Sequence, residues 1–178
     1  ALAAAGQAYA VGTGNIASGS GSIRTNGNVT TVNQSSDKLI VNWNNLDVNP
    51  GETLRFQQPS TNAAVLNRVQ SADPTQILGT LNANGRVFVV NPNGVLIGSN
   101  ARINVGSLVA STLDISDDDF KADRLNFSGT GNGKVVNEGR INATGDVALI
   151  GRGEVSNTGR IVAGGDVALA SGGAVTLE

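Results

Sequence analysis

Apolar and polar positions alternate along Val135–Ile150 (VVNEGRINATGDVALI) and do so again, 20 residues later, along Val155–Ala170 (VSNTGRIVAGGDVALA). Asn137, Gly139, Arg140, Ile141, Ala143, Gly145, Asp146, Val147, Ala148 and Leu149 each have an identical residue 20 positions on. Alternation with a period of two makes the runs β-strands. Runs this short cannot bury an apolar face alone, so a repeat of this length predicts stacked coils in which each residue lies above its twin. The fold class predicted is therefore all-β, a β-solenoid of about 20 residues per coil.

Strand character extends toward the N-terminus. Asn28–Asn33 (NVTTVN), Lys38–Trp43 (KLIVNW), Thr53–Phe56 (TLRF), Arg86–Val90 (RVFVV), Val95–Ile97 and Leu108–Ala110 are apolar runs divided by Asn, Gly and Pro corners such as Asn49-Pro50-Gly51. Asn100–Ala110 is a looser cousin of Asn157–Ala168. The rhythm breaks over Asp114–Phe120 and Arg124–Gly133, which predicts a loop or an excursion outside the solenoid. The N-terminal third has no 20-residue echo and reads as a cap, because an open solenoid end leaves apolar core and backbone groups uncovered. One domain is expected over residues 1–178, with cap and first coils over 1–60, central coils over 61–113, the excursion over 114–133 and C-terminal coils over 134–178. The last coils reach Leu177-Glu178 without an evident cap, which predicts a fragment of a longer repeat protein. The small-residue steps of Ala1–Ala10 (ALAAAGQAYA) resemble the start of a mature chain after signal-peptide cleavage.

Composition narrows the chemistry. The 24 glycines and the 3% aromatic content fit narrow coils with tight corners. Net charge is −2 and no Lys/Arg run occurs, so nucleic acid is not an expected partner. With no histidine and no cysteine, histidine-based triads, histidine-ligated zinc, thiolate sites and disulfides are all excluded. No apolar run reaches the roughly 18 to 20 residues of a membrane-spanning helix, so stable membrane insertion is not expected. The reading is of a non-enzyme with no cofactor and no metal.

Polar features have structural readings. Asp117-Asp118-Asp119 lacks calcium-loop spacing and reads as a solvated loop. Asp146 and Asp166 would stack about 4.8 Å apart at a solvent-facing corner. Asn137 and Asn157 would form an amide ladder inside a turn. Trp43, the single tryptophan, reads as core. Triplets matching glycosylation sites at Asn28, Asn33, Asn126 and Asn142 are of a kind common in any chain rich in Asn, Ser and Thr.

A further set of residues carries a resemblance. Gln57-Gln58-Pro59, Ala64–Val69 (AVLNRV), Ile77-Leu78-Gly79, Leu81–Val90 (LNANGRVFVV), Asn91-Pro92-Asn93-Gly94 and Val105–Ile115 (VGSLVASTLDI), with Ile40–Leu46 (IVNWNNL) and Gly51-Glu52 upstream, resemble the two-partner secretion domain of filamentous-haemagglutinin-like exoproteins. The similarity covers roughly Asn33–Gly129 and favours the high-molecular-weight adhesin branch. The chain lacks the Asn-Pro-Asn-Leu element of the haemagglutinin branch proper. Asp47-Val48-Asn49-Pro50-Gly51 occupies that neighbourhood with a different spelling, so that element's role is not carried over. The resemblance implies a right-handed parallel β-helix with an N-terminal cap, secreted through the periplasm to the cell surface. It implies a monomer recognised by the periplasmic domains of a dedicated outer-membrane β-barrel transporter. The residues it marks for recognition or fold nucleation are Asn91, Pro92, Asn93, Gly94, Asn67 and Arg68. An adhesive surface that binds glycan or host protein directly is the alternative.

Overall fold

The 20-residue repeat becomes an in-register stack: Val135 pairs with Val155, Arg140 with Arg160, Ile141 with Ile161 and Leu149 with Leu169. The computed structural model describes residues 11–178, so Ala1–Ala10 lies outside the described residues. About six turns of right-handed parallel β-helix wind around a single apolar interior. Each turn contributes a strand to three faces, in the order second long face, first long face, short face.

Among the described residues, the first long face has seven strands: Gly14–Ser18, Lys38–Trp43, Ala64–Val69, Arg86–Val90, Ser107–Ser111, Val147–Gly151 and Val167–Ser171. The second, also seven-stranded, contains Gly21–Asn26, Val29–Gln34, Thr53–Gln57, Thr80–Ala83, Arg102–Val105, Arg140–Ala143 and Arg160–Ala163. The short face has five: Asp47–Val48, Thr75–Ile77, Gly94–Ile97, Lys134–Asn137 and Val155–Asn157. On the second face the step between stacked residues varies. It is 24 from Val29 to Thr53, 27 to Thr80, 22 to Arg102, 38 to Arg140 and 20 to Arg160. Corner length absorbs the variation, since the strands must stack but the corners need not match.

The cap is narrower than the N-terminal third. Among the described residues, only Gly14–Ser18 and Gly21–Asn26 run antiparallel to the stack, against Lys38–Trp43 and Val29–Gln34 respectively. From Val29 onward the pairing between turns is parallel. At the other end, Val167 and Leu169 are each 47% exposed while their stacked partners Val147 and Leu149 are buried.

The excursion leaves the helix at Asp114 and is ordered. Asp114–Ile115 and Leu125–Ser128 pair antiparallel, flanking a short helix, Asp117–Lys121. The expectation of a solvated loop at Asp117-Asp118-Asp119 is corrected here: the three acids form the first turn of that helix. Ser116 caps it, its side-chain oxygen accepting from the Asp119 amide at 3.1 Å, and acids suit the positive end of the helix dipole. Ala174–Leu177 does not continue the stack. It adds to the excursion as a third strand, antiparallel to Leu125–Ser128.

This layer covers the outside of the first long face. Phe120 and Phe127 pack on Phe88, with ring centroids 5.3 and 6.4 Å away. Together with Ile40, Leu66, Val90 and Ile115 they form a second core outside the solenoid.

Candidate recognition site

The Asn91-Pro92-Asn93-Gly94 corner links an Arg86–Val90 strand that is buried on both sides to the Gly94–Ile97 strand of the short face. Proline fixes φ for the second position of a turn, and the Gly94 amide closes it on the Asn91 carbonyl at 3.0 Å. Gly94 has φ of +125°, which L side chains rarely adopt, and a Cβ there would press on the Lys134 backbone.

Asn91 is fully buried. Its Oδ1 accepts from the Asn93 amide at 2.9 Å, and its Nδ2 donates to the Asp73 carbonyl and to Thr75 Oγ1 at 3.0 and 3.1 Å. Asn93 Nδ2 donates to the Ser71 carbonyl at 2.7 Å. The Pro92 carbonyl accepts from Gly133, where the chain returns from the excursion. The corner thus ties the turn before it to the turn after it, and only Pro92 and Asn93 present themselves to solvent.

Asn67 and Arg68 are neighbours in sequence but face opposite ways. Asn67 points inward and is fully buried. It accepts from Trp43 Nε1 at 2.9 Å and donates to the Phe88 carbonyl at 3.1 Å, bridging three successive turns. Trp43 is core, as its sequence context indicates. Arg68 points outward into the excursion. It donates to Asp114 Oδ1 at 3.1 Å, Asp117 Oδ1 at 2.8 Å and the Ile115 carbonyl at 2.7 Å. Burial works against its charge, but the hydrogen bonds and charges of Asp117 and Asp114 outweigh it, and the Arg68 pKa stands above the ordinary guanidinium value. The two sites are therefore distinct: Asn67 is part of the inner stack, while Arg68 holds the excursion.

Some polar side chains have partners that no motif shows. Gln34 and Gln58 are buried one above the other, and Gln58 Nε2 donates to Gln34 Oε1 at 3.2 Å. Gln58 Oε1 also accepts from the Gly85 amide at 2.8 Å, so one side chain spans three corners. The expected ladder is present, with Asn137 Nδ2 donating to Asn157 Oδ1 at 2.9 Å. A second ladder, Asn142 to Asn104 to Asn82, runs outside the second long face. The Asn49-Pro50-Gly51 turn, closed by the Glu52 amide on the Asn49 carbonyl, lies after a short-face strand rather than before one. It occupies a different corner from Asn91–Gly94, so the two turns are not equivalent in position. Among the described residues, no group of His, Cys, Asp or Glu is placed to hold a metal ion.

A family model described as the TPS secretion domain matches residues 7–178. The chain belongs to the TPS secretion domain family. This TPS domain is 34% identical over 137 residues, 75% of its length, to a heme/hemopexin-binding protein of Haemophilus influenzae (strain ATCC 51907 / DSM 11121 / KW20 / Rd). It is 40% identical over 92 residues, 52% of its length, to another heme/hemopexin-binding protein of Haemophilus influenzae. The chain spans 14% and 10% of the lengths of these two relatives. The crystal structure of the HMW1 secretion domain from Haemophilus influenzae superposes on it with a TM-score of 0.89 at 37% identity, covering 94% of this chain and 46% of that one. A TPS secretion domain is a targeting module of an exported protein, not an enzyme family.

Proposed function

We propose that this TPS domain is recognised by the periplasmic domains of an outer-membrane β-barrel transporter, which read the Asn67-Arg68 and Asn91–Gly94 segments before they fold. The observation that carries the proposal is the burial of Asn67 and Asn91, whose side-chain hydrogen-bonding groups are all turned inward. A receptor can use those amides only while the coils are open. Folding at the cell surface then withdraws the signal, and each new turn adds apolar burial at roughly 25 cal/mol per Å², which opposes return of the chain through the pore.

The heme/hemopexin-binding activity in the relatives' names is not proposed for this domain, since the chain spans only 14% and 10% of their lengths. An exported adhesin or ligand-binding exoprotein is the proposed setting.

The test is export in cells with and without a cognate outer-membrane transporter. An Asn91→Ala/Asn93→Ala variant is compared with a Leu149→Ala variant matched to it in stability. Transporter-dependent appearance of the parent, lost in the asparagine variant and kept in the leucine variant, is the expected result. Equal export of all three would sink the proposal.

A further inference from the structure

Stacking brings together charges that lie far apart in the chain. Arg102, Arg140 and Arg160 are directly in register on neighbouring strands of the second long face, at roughly 4.8 Å intervals. Arg24 and Arg55 lie nearer the cap on the same face but one column over: through Thr31 and Asn82 they line up with Asn104 and Asn142, whereas the column of Arg102 passes through Thr80 and Thr53. All five side chains are exposed, and none takes part in an ion pair or a side-chain hydrogen bond among the described residues. No Asp or Glu occurs in any strand of this face, although the chain has 14 acids against 12 bases. Like charges opposite one another on adjacent strands destabilise a sheet, so this column lowers the stability of the empty fold.

Beside the arginines runs the amide ladder of Asn82, Asn104 and Asn142. Two shallow troughs of about 490 and 450 Å³ open on the face and share Arg55 and Gln57. From these observations we infer that the second long face of the folded domain binds a linear anionic polysaccharide, its sulfate or carboxylate groups spaced along the arginine column and its hydroxyls met by the amides. Guanidinium groups pair with such oxyanions through two parallel hydrogen bonds.

The same face argues against two other classes. Its strands carry no outward aromatic ring: Phe56 is buried, and Trp43 lies in the core. Single-stranded nucleic acid is gripped through base stacking on aromatics, and an aromatic platform is also what a neutral sugar ring would need. The column exists only once the coils are in register, which places the ligand with the folded protein rather than with the export machinery. The inference stands apart from the secretion reading, because it is measured on the purified chain.

Binding of the 178-residue chain to dextran sulfate is measured by titration calorimetry, with neutral dextran and a single-stranded oligonucleotide as comparators. The parent is expected to bind dextran sulfate, to ignore dextran and to gain thermal stability on binding. An Arg102→Gln/Arg140→Gln/Arg160→Gln variant should bind roughly 30-fold more weakly, about threefold per exposed cation removed. Its slope of log affinity against log salt should fall by about 3, roughly one per arginine. The unliganded triple variant should melt no lower than the parent, since it relieves repulsion, and Arg152→Gln should leave binding unchanged. No binding by the parent, equal binding by the triple variant, or tighter binding of the oligonucleotide would each overturn the inference.

Discussion

Asn67 is an amide in the middle of an apolar stack, with Val65 and Val69 on either side pointing into the same interior. Its Oδ1 satisfies Trp43 Nε1, and its Nδ2 reaches Phe88. Asn67→Leu keeps the volume but leaves the indole N–H without its partner, and should cost about 1 to 3 kcal/mol. Urea titration followed by Trp43 fluorescence checks this, and a Trp43→Phe/Asn67→Leu double variant should recover part of the loss, because both members of the pair are then gone. The sequence marks Asn67 and Asn91 as special without saying what they do. Their spelling is local, but their partners at Trp43, Phe88, Asp73 and Thr75 belong to other turns, and only the register places them. Gln58 is legible as an interruption and as part of the resemblance, but its role is not, because it satisfies the Gly85 amide and the Arg86 carbonyl 27 and 28 residues on and the Gln34 side chain 24 residues back. Of the arginine column, the repeat shows Arg140 above Arg160, but Arg102 joins them only through the register across the 38-residue step.

At the scale of elements, the strands and the repeat are legible because their signal is periodic. The excursion is legible only as a break in that period. Its helix comes from Ser116 followed by three acids, a capping arrangement that a search for calcium loops passes over. What it covers is written in the first long face: Arg86–Val90 and Val147–Gly151 are apolar at nearly every position rather than at every second one, the mark of a strand buried on both sides. The excursion is held by charge as well as by rings. Asp123 pairs with Lys38 at 3.3 Å and with Arg86 at 2.9 Å. Although burial works against its charged form, Arg86 and Lys38 together hold its pKa below the ordinary 3.8. Because the folded value is the lower one, Asp123 contributes stability above the unfolded value, and that contribution fades as pH falls through the folded one. Asp119, held low first by Arg124 and then by Asn126, acts in the same direction. Hydrogen-exchange protection over Asp114–Ser128, measured against the intrinsic rate at each pH, should therefore fall below about pH 4, ahead of that in the coils. Phe120→Ala should cost about 3 kcal/mol and shift that onset to higher pH.

Across the whole molecule, the solenoid is a chain of neighbours, and stability depends on how many sides a turn is covered from. Leu149 and Leu169 are twins in sequence and register, yet one is fully buried and the other 47% exposed. Leu149→Ala is expected to cost about 3 kcal/mol and Leu169→Ala no more than about 1, as read from the shift in urea midpoint. Equal costs would mean that the last turn is covered in solution.

The strand Ala174–Leu177 comes after the last turn, yet it pairs with a segment that left the stack two turns earlier. That segment is in turn held by Lys38, Arg68 and Arg86 from the first three turns. A thread wound on a spool unwinds from its free end one loop at a time. Here the strand that follows Val167–Ser171 is stitched back across the loops, so tension applied from beyond Leu177 meets the stitch before it meets any loop. The stitch, in effect a buckle, is expected to hold against pulling from that side until the pairing of Ala174–Leu177 with Leu125–Ser128 gives way.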